Sequence, residues 1–135
     1  MINAIKQQAF SRPDDPLRQV VAHHVLSQRR YVQEHFPGGT EAFAVNCAVA
    51  LHNYEGRTAN LSSVAEMTGL SRRTVARILG ELVEGGWFIK VEANLQPWPT
   101  YVRTSDPDKQ AFITNMYAEL ADEYREQVCD RLEQV

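Results

Sequence analysis

The stretch from Leu61 to Phe88, LSSVAEMTGLSRRTVARILGELVEGGWF, contains two helical segments separated by a glycine. Gly69 can adopt the positive φ that ends a first helix, and Ser71 can cap the start of a second one. Beyond Ser71, apolar residues recur at spacings of three and four, which predicts one buried stripe. That stripe comprises Val75, Ile78, Leu79 and Leu82. The stretch therefore predicts a helix-turn-helix.

The outward face of the second helix is basic at its beginning. The residues from Ser71 to Leu79 include three arginines, Arg72, Arg73 and Arg77, and no acidic residue. The whole chain has a formal charge of −3, but residues 57 to 104 carry six basic and four acidic groups, a net +2. The last segment, residues 105 to 135, carries three basic and eight acidic groups, a net −5. A positive patch is thus predicted on the second helix of an otherwise acidic protein.

A hairpin is predicted after this helix. Gly85 and Gly86 end the helix, and strands are expected at 87 to 91 and 100 to 104. The connection holds Pro97, Trp98 and Pro99, in which the prolines stiffen the turn and the tryptophan is either exposed or tucked beneath the hairpin.

The start of the first helix of the motif is predicted from its serines. Ser62 or Ser63 is expected to cap this helix. Leu61, just before them, is predicted to form a short third strand beside the hairpin.

Helices are expected on both sides of this segment. Residues 14 to 56 predict one helix from near Pro16 to Phe36 and another from Thr40 to Gly56, the latter apolar nearly all round and therefore buried. A long helix beginning near Pro107 keeps an apolar stripe almost to the last residue, which is more than one small core can cover. The simplest way to bury the rest of this stripe is to pack it against a second copy of the chain, so a homodimer is predicted. Its candidate contacts are Leu17, Val21, Ile113, Tyr117, Leu120, Tyr124, Val128 and Leu132.

The motif SRRTVARILGELVEGGW resembles the recognition helix and exit of winged-helix regulators, and the order of elements resembles the MarR family of dimeric repressors over nearly the whole chain. The specific match is confined to about residues 60 to 104. The resemblance implies a mainly α fold with a small β-wing. It implies one domain, residues 1–135, with N-terminal helices in 14–56, the winged helix-turn-helix in 60–104 and a dimerisation helix in 106–135.

The function implied is that of a sequence-specific transcriptional regulator, a repressor, that binds double-stranded DNA as a homodimer. The recognition helix, about residues 71 to 84, would enter the major groove. The candidate DNA contacts are Ser62, Ser71, Arg72, Arg73, Thr74, Arg77, Lys90 and Arg103. One departure concerns the wing, where the family commonly has an Asp-x-Arg element that reaches the minor groove. This chain has Gln96-Pro97-Trp98-Pro99 instead, which puts wing readout in doubt.

The resemblance also implies a small-molecule effector that enters between the dimerisation helices and the winged domain. The sequence itself indicates no pocket for it. Aromatic and histidine residues of the first two helices could line one, although such residues are more often ordinary core. These are His24, Tyr31, Phe43 and His52. No cofactor is expected.

Two other classes of function fit the sequence less well. A winged-helix adaptor or antirepressor that does not bind DNA is favoured by the acidic tail and the missing wing arginine, and disfavoured by the three arginines of the second helix. An enzyme is not expected, since the chain has no phosphate loop, nucleophile elbow or carboxylate dyad. No metal-ligand spacing is present, and Cys47 and Cys129 are expected to remain reduced. Without a signal peptide or an apolar run of about twenty residues, a soluble cytoplasmic protein with no membrane contact is predicted.

Overall fold

The computed structural model describes residues 16–92 and 97–134. It consists mainly of helices with one small hairpin, as predicted. In chain order the elements are α1 (Pro16–His35), α2 (Gly39–Tyr54), α3 (Leu61–Thr68), α4 (Arg72–Glu84), β1 (Phe88–Val91), β2 (Thr100–Arg103), α5 (Pro107–Tyr124), a π-helical turn (Arg125–Asp130) and α6 (Arg131–Glu133). The sequence also predicts a short arm at residues 1 to 13, a cap of the first helix by Asp14 or Asp15, and an apolar stripe that reaches Val135. These residues, like Gln96 of the wing connection, lie outside the described ranges.

The chain divides into two compact units. One, the core unit, comprises residues 30–115. The other, the terminal unit, is formed by residues 1–29 and 116–135, of which 16–29 and 116–134 are described.

Helix α2 lies at the centre of the core unit. Its residues are buried on nearly every side, and Val45 and Val49 have no exposed surface. The helix begins at Gly39, one residue before the predicted Thr40, and both Gly39 and the preceding N-cap Gly38 have positive φ. The Thr40 amide then donates to Gln33 Oε1 at 3.1 Å. The prediction of a buried second helix is therefore confirmed.

Helices α3 and α4 form the predicted helix-turn-helix. Gly69 ends α3 at a φ of 74°, and its amide donates to the Ala65 carbonyl at 3.0 Å. The cap of α3 differs from the prediction, because Asn60 is the N-cap. Asn60 Oδ1 accepts from the Ser63 amide, and Ser63 Oγ accepts from the Asn60 amide, both at 2.9 Å. Neither Ser62 nor Ser63 is the cap itself, because this reciprocal capping box satisfies two amides at once.

Strands β1 and β2 form the antiparallel wing, with Phe88 opposite Arg103 and Val91 opposite Thr100. The expectation that Leu61 forms the third strand is wrong. The isolated bridge is made by Ala59, whose carbonyl accepts from the Tyr101 amide at 2.9 Å. Leu61 is unavailable for it, because the Asn60 cap already starts α3 at that residue.

The terminal unit contains the start of α1 and the end of the chain's last long helix. That helix is interrupted by the π-helical turn Arg125–Asp130. A π turn inserts an extra residue, so it rotates the following side chains about the helix axis relative to a regular α pattern. Val128, within this turn, is only 7% exposed. Val128 is a candidate dimer contact on the ground that its own chain leaves it exposed, and that ground is wrong, because the side chain is already buried within the terminal unit. Among the described residues, no helix is both long and apolar enough to cross a membrane.

Candidate nucleic-acid interface

The start of α4 is held by one serine. Ser71 has an extended backbone, and its Oγ accepts from the Thr74 amide at 3.1 Å. The same hydroxyl also bonds Thr74 Oγ1 at 2.9 Å. The predicted N-cap is thus confirmed, and it sets the direction in which α4 leaves the turn.

Helix α4 has one buried and one exposed face, as its spacing predicts. Val75 and Leu79 have no exposed surface, and Ile78 and Leu82 are also buried. Arg72, Arg73 and Arg77 are exposed, while Thr74 is half-buried. The helix therefore presents its three arginines to solvent on a rigid, well-packed support.

The three arginines differ in their partners. Arg77 Nη1 lies 3.1 Å from Glu81 Oε1, one turn further along α4, in a pair whose side chains are 57% and 54% exposed. Within residues 16–92 and 97–134, neither Arg72 nor Arg73 forms an ion pair. The charge at the start of the helix is thus uncompensated, whereas the charge of Arg77 is partly neutralised.

The predicted basic residues of the wing are both engaged. Lys90 Nζ lies 3.4 Å from Glu92 Oε1. The Arg103 guanidinium lies over the Tyr54 ring, 4.1 Å from its centroid, a distance typical of a cation–π contact. The wing therefore presents less free positive charge than its sequence suggests.

A cavity of about 320 Å³ joins the start of α3, the start of α4 and the wing. Two predicted contact residues, the exposed Ser62 and Arg72, line it together with Trp98. Trp98 is 59% exposed, which decides between the two alternatives left open by the sequence. Sequence reasoning did not place Trp98 or Tyr101 among the site residues. The available signal was the pair of prolines that flank Trp98, because proline fixes the backbone φ and so restricts where the Trp98 ring can lie.

The candidate dimer contacts fall into several environments. Leu17 and Val21 are 56% and 41% exposed, and Tyr124 is also exposed. Ile113, Tyr117, Leu120 and Leu132 are half-buried. Val128, in contrast, is part of the interior of the terminal unit.

The four residues considered for an effector pocket are mostly packed against neighbours. His52 is buried, and its Nδ1 lies 2.7 Å from the Ala48 carbonyl of its own helix. Phe43 packs edge-on against Phe36, with ring centroids 5.2 Å apart. Tyr31 lies against His35 with a centroid distance of 4.5 Å. In the core unit these residues therefore behave as ordinary packing residues.

His24, the fourth, belongs to the terminal unit. Its ring meets that of Tyr124 edge-on at 5.4 Å. Three buried polar atoms of this unit have no hydrogen-bond partner among the described residues: His24 Nδ1, Glu123 Oε1 and Gln127 Oε1. In the same described part of the chain, no group of three or more His, Cys, Asp or Glu side chains is arranged to hold a metal ion.

Comparisons with known proteins identify the fold. No protein-family model matches the sequence, and a search of curated proteins finds no match either. Among solved structures, a MarR family transcriptional regulator from Silicibacter pomeroyi superimposes with a TM-score of 0.55 and 16% identity, over 87% of this chain and 76% of that one. RV1404 from Mycobacterium tuberculosis gives a TM-score of 0.59 and 15% identity, over 90% and 77%. NadR, solved in complex with 4-hydroxyphenylacetate, gives 0.54 and 15%, over 92% and 80%. The chain therefore has the winged-helix fold of MarR-like transcriptional regulators.

Proposed function

We propose that this protein is a sequence-specific DNA-binding transcriptional regulator, a repressor that acts in the cytoplasm as a homodimer, with α4 as its recognition helix. The observation that carries the proposal is the pair Arg72 and Arg73. Both are exposed at the start of a capped, well-packed helix, and neither has an acidic partner in the described part of the chain. The fold shared with known regulators supports the same function.

The chemistry of these arginines suits duplex DNA. A guanidinium can pair with a phosphate oxygen or form two hydrogen bonds to the edge of a guanine in the major groove. An arginine that is free of carboxylates exchanges only water and counterions for DNA, so its full charge contributes to binding. Ser71 and Thr74, whose hydroxyls bond each other, would position the helix start rather than read bases.

Arg77 would contact DNA by exchanging its partner Glu81 for a phosphate. Its pair with Glu81 is exposed on both sides, and such pairs contribute only about 0.3–0.5 kcal/mol. A phosphate can therefore replace Glu81 at little cost. The same reasoning applies to Lys90, whose partner Glu92 is also exposed.

The homodimer is proposed on the exposed apolar groups of the terminal unit. Leu17, Val21, Val25 and Leu26 lie within three turns of α1 and are all exposed in the single chain. Burial against a second copy would remove these groups from water, at about 25 cal/mol per Å² of apolar surface. Two copies would also present two recognition helices to a palindromic site.

A small-molecule effector is a further part of the proposal. NadR, one of the structural neighbours, was solved with 4-hydroxyphenylacetate, and another neighbour, PefR, was solved in a heme-free form. In this chain, the unpartnered atoms of His24, Glu123 and Gln127 offer polar groups that a ligand could satisfy. A thermal-shift screen of small aromatic acids against the wild type and His24→Ala tests this part: stabilisation that disappears in the variant supports it, and no stabilisation by any compound contradicts it.

The central test is binding of labelled duplexes by wild type, by the double variant Arg72→Gln and Arg73→Gln, and by a control with Arg125→Gln and Arg131→Gln. The control removes the same charge from exposed arginines at the other end of the sequence. We expect the first variant to lose affinity by roughly 10- to 100-fold at low salt and the control to stay within about threefold of wild type. Circular dichroism verifies that both remain folded.

The opposite result would favour the adaptor. If the wild type bound no duplex at low salt, or if both variants bound equally well, α4 would not be a recognition helix. The acidic C-terminal segment and the pairing of the wing residue Lys90 with Glu92 would then point to a protein partner.

A further inference from the structure

The cavity beside the wing has a lining of mixed chemistry. Apolar walls come from Leu61, Trp98, Pro99 and Tyr101. The polar groups are those of Asn60, Ser62 and Arg72. Of these, Asn60 is occupied by the α3 capping box, whereas Arg72 has no ion-pair partner within the described residues. The site thus combines one free cation with an exposed aromatic face.

The location of the cavity narrows the range of occupants. Arg72 is the first residue of α4, the helix proposed to enter the major groove. Trp98 precedes β2 and belongs to the wing. A DNA strand that leaves the groove beside Arg72 would therefore meet Trp98 in the same cavity.

We propose that this cavity receives one sugar–phosphate unit of the DNA backbone in each half-site. The Arg72 guanidinium pairs with the phosphate, and the Trp98 ring packs against the adjoining deoxyribose. This inference rests on the proposed function and names the part of the DNA that the site holds. In this arrangement Trp98 gives the wing an apolar contact where an arginine would give an ionic one.

The charges near the cavity agree with this assignment. Glu92 lines a smaller cavity together with Pro97, Trp98 and Pro99, and the last two residues also line the cavity that holds Arg72. Its carboxylate is paired with Lys90 at 3.4 Å, and it does not line the cavity that holds Arg72. An anion at Arg72 therefore meets no carboxylate among the residues that line this cavity.

The two contacts predict different responses to salt. Arg72→Ala removes one phosphate contact, so the slope of log affinity against log salt falls by about 0.9 per protomer. Trp98→Ala removes apolar contact alone and should weaken binding roughly tenfold at every salt concentration, with an unchanged slope. Trp98→Phe keeps an aromatic face and should recover most of the affinity. Val102→Ala, an exposed wing residue that does not line the cavity, serves as the matched control.

Fluorescence gives an independent readout, because the chain has two tryptophans. Trp87 packs in the core unit against Phe112, at 5.4 Å, and beneath Lys109 Nζ, at 4.9 Å. The Trp98→Phe variant therefore reports the Trp87 signal, and its difference from wild type reports Trp98. We expect a duplex of about two helical turns, selected by the wild type from a random pool, to shield Trp98 from acrylamide and leave Trp87 unchanged.

The outcomes separate this inference from the proposed function. If the wild type binds the duplex while Trp98→Ala binds equally well, or while acrylamide still quenches Trp98 fully, the sugar–phosphate site is wrong and the DNA-binding function stands. If the wild type selects and binds no duplex at low salt, both fail together. A tenfold weakening with unchanged salt slope and a shielded Trp98 supports the inference.

Discussion

Asn53 holds the backbone of Arg103: its Oδ1 accepts from the Arg103 amide at 3.1 Å. The same side chain reaches the carbonyl of Tyr101 with its Nδ2 at 3.4 Å. One amide at the end of α2 thus satisfies two backbone groups of β2, and it does so across about fifty positions of sequence. The wing is therefore held to α2 by an asparagine, one of the few polar residues of that mostly apolar helix.

Asn53→Ala should destabilise the protein by about 1–3 kcal/mol, because partly buried backbone groups of β2 lose their partners. Urea unfolding followed by circular dichroism measures the change. Asn115→Ala, an exposed asparagine of α5, is the matched control and should change stability by less than about 0.5 kcal/mol. Equal stability of the two variants would contradict the fastening role of Asn53.

Replacing two glycines, Gly69 and Gly80, by alanine should change the stability of the protein in opposite directions. An added Cβ would meet no atom within 4 Å at either Gly69 or Gly80. Gly80 lies inside α4, where alanine is better than glycine by about 1 kcal/mol, so Gly80→Ala should stabilise the protein. Gly69 has a φ of 74°, which costs an alanine roughly 1–2 kcal/mol, so Gly69→Ala should destabilise it. Thermal unfolding distinguishes them, and a shift of the same sign in both variants would show that backbone conformation is not what separates the sites.

Glu81→Gln should strengthen DNA binding, because it releases Arg77 from its pair and removes a negative charge beside the proposed phosphate contacts. The gain in affinity should exceed that of Glu84→Gln, which makes the same charge change on α4 at an exposed acid that forms no ion pair within the described residues. Stability should fall by no more than about 0.5 kcal/mol. Titration of a labelled duplex with each variant measures the two affinities. Identical gains in affinity would mean that Arg77 takes no part in DNA binding.

Leu17→Asp combined with Val21→Asp should convert a dimer to a monomer. Both side chains are substantially exposed in the single chain, so the charges should be tolerated there, whereas burial in an interface without partners would be costly. Light scattering at micromolar concentration gives the mass, and circular dichroism the helix content. Val102→Asp, on the wing, should leave the mass unchanged. A monomeric wild type would remove the basis for the dimer.

Local sequence patterns predicted most of the elements. The spacing of Val75, Ile78, Leu79 and Leu82 predicted the buried face of α4, and Ser71 and Gly69 predicted where one helix starts and the other ends. These features depend on residues within one or two turns of each other. Helical periodicity and capping are therefore readable from the chain without knowledge of the rest of the fold.

Competition between nearby groups was harder to predict. Three neighbouring residues, Asn60, Ser62 and Ser63, can all cap a helix, and the choice of Asn60 depended on the reciprocal bond with Ser63. Because α3 begins at Leu61, the residue that forms the bridge to β2 is Ala59. The π-helical turn at 125–130 likewise has no local signature in the sequence, and it contains the buried residue Val128.

The sequence by itself determined the elements, the basic start of α4 and the prediction of a winged helix-turn-helix. Tertiary structure decided which charges are free and which groups share a site. It placed Arg103 over Tyr54 and brought Arg72 and Trp98 to the walls of one cavity. The physical reason is distance along the chain: periodicity and caps arise from neighbours in sequence, whereas Arg72 and Trp98 are twenty-six positions apart and meet only because β2 folds back beside the start of α3.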